Sequence, residues 1–157
     1  MKYSDLNLHL NKNVNTISIQ PGIDINILKY LPIEDKNDLI QLALQNSEEN
    51  GIYNLLKLDM YFKVYTILSY TDLEFTDEEK ENPTLIYDYL NSNGILDCII
   101  NSITKEEWAY LTDKLNSTLT MKVTYRNTIT SVLNSFIENL PGNAKAAKDI
   151  IENFNPE

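Results

Sequence analysis

One cysteine, one histidine, one arginine and four glycines in 157 residues exclude several common chemistries before any pattern is considered. Cys98 has no partner for an internal disulfide, which points to a reducing cytoplasm. A Cys–His nucleophile would need Cys98 beside His9. Yet His9 falls on the polar face of a predicted strand and Cys98 near the apolar face of a predicted helix, so Cys98 is expected to serve as packing. Gly22, Gly51, Gly94 and Gly142 are isolated, which rules out a glycine-rich phosphate loop. Arg126 is accompanied only by scattered lysines, so the clustered bases that grip phosphates are missing and nucleic-acid partners are excluded. No stretch reaches the roughly 18 apolar residues that a bilayer span needs. The acid surplus opposes binding to an anionic membrane surface, and the start, MKYSDLNLHL, lacks the pattern of a signal peptide. The Asn116-Ser117-Thr118 sequon then has no consequence.

What remains is one domain, residues 1–157, with 43% apolar residues and a net charge of −10. A chain of this length buries roughly 70% of its unfolded surface, so it needs neither disulfide nor metal to hold a core. The charge is uneven. Residues 71–107 carry −8 of it, whereas residues 108–142 carry +1.

Leu6, Leu8 and Leu10, then Ile17 and Ile19, then Ile23, Ile25 and Ile27 alternate with polar residues, a period of two that predicts strands. Turns at residues 11–15 and at Pro21-Gly22 make them an antiparallel β-meander over residues 5–28. Beyond Pro32 the period becomes helical, and residues 32–154 form a predominantly α-helical bundle that covers the apolar face of the sheet. The fold class is therefore α+β. A first helix begins at Pro32 with Ile33, Leu39, Ile40, Ala43 and Leu44 on its apolar face, and ends over residues 46–51. A second, over residues 55–70, is apolar nearly all round apart from Asp59, Lys63 and Thr66, and belongs at the centre. Thr76-Asp77-Glu78-Glu79 is a capping box, Pro83 breaks or restarts the helix it opens, and Gly94 stops it. A short helix over residues 95–102 follows.

A second capping box, Thr104-Lys105-Glu106-Glu107, opens a helix that meets no Gly or Pro before Pro141, roughly 50 Å of helix at the usual rise. Trp108, Leu115, Leu119, Ile129, Leu133, Phe136 and Leu140 share one seam, interrupted by Thr112, Lys122 and Arg126. The helix bends there, or the two cations snorkel from a packed groove, or they meet acidic partners. Packing wholly inside the monomer is the expectation for the long helix. Asn143 caps a last helix over residues 144–154.

Asp72-Leu73-Glu74-Phe75-Thr76-Asp77-Glu78 has the acidity of a calcium loop, but Asp77 stands where the turn needs Gly and Pro83 where a bidentate Glu belongs. No metal is expected. Six of ten tyrosines lie between Tyr53 and Tyr89, in numbers that suit either an interface or a core.

Tyr30-Leu31-Pro32-Ile33-Glu34-Asp35-Lys36, Tyr70-Thr71-Asp72-Leu73-Glu74-Phe75-Thr76, Asn82-Pro83, Ile86-Tyr87-Asp88 and Asn91-Ser92-Asn93-Gly94-Ile95 form a pattern that resembles small proteins of tailed bacteriophages infecting low-GC Gram-positive bacteria. Within that group the chain looks like a tail assembly chaperone over about residues 17–140. The resemblance implies a non-enzymatic role in virion morphogenesis in the host bacterial cytoplasm. It implies no catalytic residue and no cofactor. The implied partners are the phage tape-measure protein and the major tail protein, with a homo-oligomer left open. A tape measure presents long apolar helical stretches, so its chaperone needs an apolar surface and an acidic exterior. Tyr61 and Tyr65 on the central helix, and Leu115, Leu119, Lys122, Arg126 and Ile129 on the long helix, are the candidate partner-binding residues. The alternative, prompted by the −10 charge, is an acidic inhibitor that imitates DNA and blocks a host nuclease or defence protein.

Overall fold

Alternating apolar residues on either side of Pro21-Gly22 pair as an antiparallel hairpin, β1 (Val14–Gln20) with β2 (Ile23–Leu28). The structure is a computed structural model that describes residues 9–10 and 12–138, with the backbone alone for 136–138. Gly22 turns the hairpin at φ +82°, a conformation in which a Cβ is strained. Ile25 and Ile27 are fully buried, and Ile17 and Ile19 on the partner strand are half-buried. The expected first strand at residues 6–10 lies mostly outside the described residues, and His9 and Leu10 are not in a strand. The expected turn at residues 11–15 is shorter, because Val14 and Asn15 already pair with Leu28 and Ile27. The outer edge of β2 is closed by Thr71, which bridges Ile27, and by Asp72, whose carboxylate accepts from the Asn26 backbone N–H at 2.9 Å and from its amide at 2.7 Å. Those bonds hold the Asp72 carboxyl below its ordinary value.

Pro32 precedes α1 (Ile33–Ser47), and Leu39, Ile40, Ala43 and Leu44 bury one face of it. Ile33, expected on that face, is exposed in the first turn, while Lys36 takes the buried position. Where only a helix end was expected, a small hairpin, β3 (Glu48–Glu49) with β4 (Ile52–Tyr53), leads into α2 (Leu55–Tyr70). Asn50 and Gly51 both have positive φ, the pair that two-residue hairpin turns favour. The Asn54 side chain caps α2 by accepting from the Leu56 and Lys57 N–H groups.

α2 packs against α1, α4 (Pro83–Ser92) and α5 (Ile95–Ser102), which puts it at the centre of these helices as its composition predicts. Asp59 and Lys63 pair at 2.8 Å, one turn apart. Thr66, the third member of the expected polar stripe, is instead buried, its hydroxyl donating to the Phe62 carbonyl. Thr76 opens α3 (Asp77–Lys80) with both halves of the capping box formed. Leu96, Ile99 and Ile103 take the buried face at the α5 end of the bundle, and Cys98, expected as packing, is exposed.

The long helix is α6 (Lys105–Glu138), 34 residues as its uninterrupted sequence predicts. Its expected capping box forms only in part. The Thr104 hydroxyl accepts from the Glu107 N–H at 3.3 Å, but the Glu107 carboxylate turns inward. There it accepts from Lys36 Nζ at 2.8 Å, from the Tyr70 hydroxyl at 2.6 Å and from the Leu31 N–H at 3.4 Å. The Lys36 ammonium lies 4.1 Å above the Tyr30 ring and 4.9 Å from that of Tyr110. Burial first, then the bond to Glu107, push the Tyr70 hydroxyl far above the usual phenol range and keep it a donor. The chain comprises two compact units, Met1–Asp113 and Lys114–Glu157. The expected helix at residues 144–154 lies outside the described residues.

Candidate functional site

From residue 115 to residue 137 the only charged side chains are Lys122 and Arg126. The helical backbone sorts the remainder by spacing. Met121, Tyr125, Ile129 and Val132 follow one another at intervals of four, four and three, which sets them on one side of α6. All four are exposed, at 72%, 71%, 41% and 62%. The hydroxyls of Thr118, Thr120 and Thr128 donate back to the carbonyls of Lys114, Asn116 and Thr124 at 2.8 to 2.9 Å. Their hydroxyls thus stay on the helix backbone, and the surrounding surface is less polar than the residue names suggest. Large apolar and aromatic side chains with few charges mark the central part of an interface rather than an ordinary solvated face.

Of the residues expected to bind a partner, Leu115 is buried, Leu119 and Arg126 are half-buried, and Lys122 and Ile129 are exposed. The expectation that the long helix packs wholly inside the monomer does not hold. Between residues 120 and 135 only Arg126 and Leu133 are even half-buried. Met121, Tyr125 and Val132 lie outside the expected set, because the heptad seam runs through the neighbouring positions Lys122, Arg126 and Leu133. The signal for them was the same helical spacing, offset by one residue and free of charge.

Tyr61 and Tyr65, the other two residues of the expected set, belong to α2, in the unit Met1–Asp113. Their rings stack with centroids 6.0 Å apart and planes at 14°. The Tyr65 hydroxyl is bonded to the Asn46 amide at 3.0 Å, and burial raises its pKa, with Tyr61 adding to the shift. The tyrosines thus divide between core and surface. Tyr70 is fully buried, Tyr61 and Tyr65 are half-buried, and Tyr89 is 61% exposed.

Among the described residues no group of three His, Cys, Asp or Glu side chains is placed to hold a metal ion, and no helix is long and apolar enough to cross a membrane. The distal part of α6 thus displays exposed apolar side chains with an exposed lysine, Lys122, beside them. Compared with protein-family models, with curated proteins and with solved structures, the chain matches none.

Proposed function

We propose that this chain is a non-enzymatic assembly factor of a tailed bacteriophage, a tail assembly chaperone that binds the tape-measure protein in the host cytoplasm. One observation carries the reading: the exposed strip of Met121, Tyr125, Ile129 and Val132 on a helix segment with two charges. A tape-measure helix carries a long apolar stripe of its own, and laying it along this strip removes both from water. The exposed part of each of these side chains leaves water together with the partner's stripe, and that burial opposes the cost of ordering in a reversible complex. Lys122, exposed beside the strip, favours a partner stripe flanked by carboxylates. The acidic residues 71–107 then keep the loaded complex in solution.

The DNA-mimic reading has less support. Phosphate imitation needs freely displayed carboxylates, whereas Asp72 is bonded to Asn26 and Glu79 to Thr76.

Co-expression with a tape-measure protein is the test. The expected result is a soluble complex that co-purifies, lost in a Tyr125→Glu/Ile129→Glu variant that keeps its helical circular dichroism. If the tape measure stays insoluble and nothing co-purifies with the unaltered chain, the proposal fails. Light scattering on the chain alone separates the strip's use by a second copy from its use by another protein, and a major tail protein is tested in the same format.

A further inference from the structure

A second surface of different chemistry lies in the unit Met1–Asp113. Leu31 and Leu39, both buried, floor a groove of about 430 Å³ between α1 and α2, with Leu42, Tyr65 and Leu68 on its walls. Its size falls within the range of clefts that hold ligands, about 300–1,000 Å³. The α1 wall reads Asp35, Asp38, Leu39, Leu42, so that one end is acidic and the other apolar, and Leu42 is 44% exposed beside the buried Leu39 and Ala43. A second hollow continues from it, sharing Leu68 and Lys80 and adding Leu73, Glu74 and Phe75. Three carboxylates, Asp35, Asp38 and Glu74, thus face the paired hollows against one ammonium, Lys80. Lys80 itself leans on Asp77 at 4.0 Å.

We infer that this groove docks a cationic amphipathic peptide segment, a short helix whose leucine-like side chains fill the floor while its lysines or arginines meet Asp35 and Asp38. The apolar floor alone would accept any hydrophobic helix. The acidic end rejects one flanked by carboxylates, since like charges brought together in a partly desolvated groove repel. A membrane surface does not fit, because Asp35, Asp38 and Glu74 beside the apolar residues repel anionic headgroups. The inference rests on different residues from those of α6 and stands independently of what the long helix binds.

Two labelled helical peptides test it by fluorescence anisotropy against the full chain. One carries two leucines a turn apart followed by lysines, and the other has glutamates in place of the lysines. The lysine peptide is expected to bind and the glutamate peptide not to. Asp35→Asn/Asp38→Asn should weaken binding about five- to tenfold, the range for two partly exposed ion pairs. Leu42→Ala, at an exposed position, should weaken it as well. A charge-matched variant away from the groove, Glu78→Gln/Asp88→Asn, should change it less than about twofold, at the low end of what one exposed ion pair contributes. Equal losses in the two charge-neutralised variants would mean diffuse attraction to an acidic protein and would overturn the inference. So would binding of both peptides alike, an unaltered affinity in Leu42→Ala, or no binding by either peptide.

Discussion

The first turns of α6 and the turns beyond residue 120 belong to one helix with two kinds of surface. In the first, Glu107 holds Lys36 and Tyr70, Trp108 packs its ring 5.4 Å from that of Phe62, and Leu111 is fully buried. In the second, the large side chains stand exposed and the hydroxyls of Thr120 and Thr128 bond to the helix's own carbonyls. The helical spacing continues through both, with Lys122 and Arg126 on the seam in the distal part, so spacing alone does not decide which stretch is core. What the rest of the chain covers does. The distal stretch carries Thr118, Thr120, Thr124, Thr128 and Thr130, poor helix formers that give little stability of their own. A long helix of such residues is ordinarily held by what packs on it, and here its apolar strip has large exposed side chains.

If the first turns are core, breaking their charge cluster should have the largest effect. Glu107→Ala leaves the Lys36 ammonium, whose residue is 3% exposed, without its carboxylate, and removes the acceptor of Tyr70 and of the Leu31 N–H. Urea denaturation should show a loss of about 3–5 kcal/mol, the range for one partner removed from a buried pair. Lys36→Met/Glu107→Met should recover part of that loss, since it removes the buried charges together. A loss below about 1 kcal/mol in the single variant, the level of an exposed pair, would place this cluster with the surface.

Tyr70→Phe sharpens the same contrast with a smaller effect, about 1–2 kcal/mol, because one acceptor of Glu107 loses its donor. It also carries a pH signature. The folded-state pKa of Tyr70 is raised above the unfolded value near 10, so its contribution is complete below that value. It is lost as the pH rises through about 10 toward the folded value, where unfolded tyrosines ionise and the buried one resists. The unaltered chain should therefore lose stability more steeply between pH 9 and 11 than Tyr70→Phe, a window that brackets the ordinary phenol value. Parallel slopes would show that the hydroxyl titrates no differently when folded.

How far these features were legible follows from how local they are. The bounds of α2, α5 and α6 and the cap at Thr76 depend on residues within a turn or two of each other, and the helical period and capping box mark them. The Asn50-Gly51 hairpin was equally local and carried its turn signal, but the run of polar residues around it masked two strands of two residues each. The cluster around Glu107 joins Leu31, Lys36 and Tyr70, which only the packed fold brings together, so local spacing could assign Glu107 no more than a cap. Leu111 was missed for a different reason: a strict heptad step from Trp108 lands on Thr112, although Leu111 lies three residues from Trp108 and four from Leu115. Of the candidate binding surface, Ile129 and Lys122 were found because they lie on the heptad seam. Met121, Tyr125 and Val132 escaped because an apolar side chain in a long helix is ordinarily core, and exposure is set by what the rest of the chain leaves uncovered.

The smallest effect on stability is the most informative about the other half of the comparison. Tyr125 and Ile129 are exposed, and no large apolar area returns to water when they are shortened. Tyr125→Ala/Ile129→Ala should therefore change the unfolding free energy by less than about 0.5 kcal/mol, or raise it slightly, since alanine is the better helix former. Urea denaturation with circular dichroism measures this on the same chain in which Glu107→Ala is strongly destabilising. A loss as large as that of Tyr70→Phe would mean that the distal strip is already buried in the free protein, and the contrast between the two parts of α6 would collapse. With a near-zero effect on the free chain, any decrease in partner capture by the same variant is attributable to the contact surface itself, because the fold that presents it is unchanged.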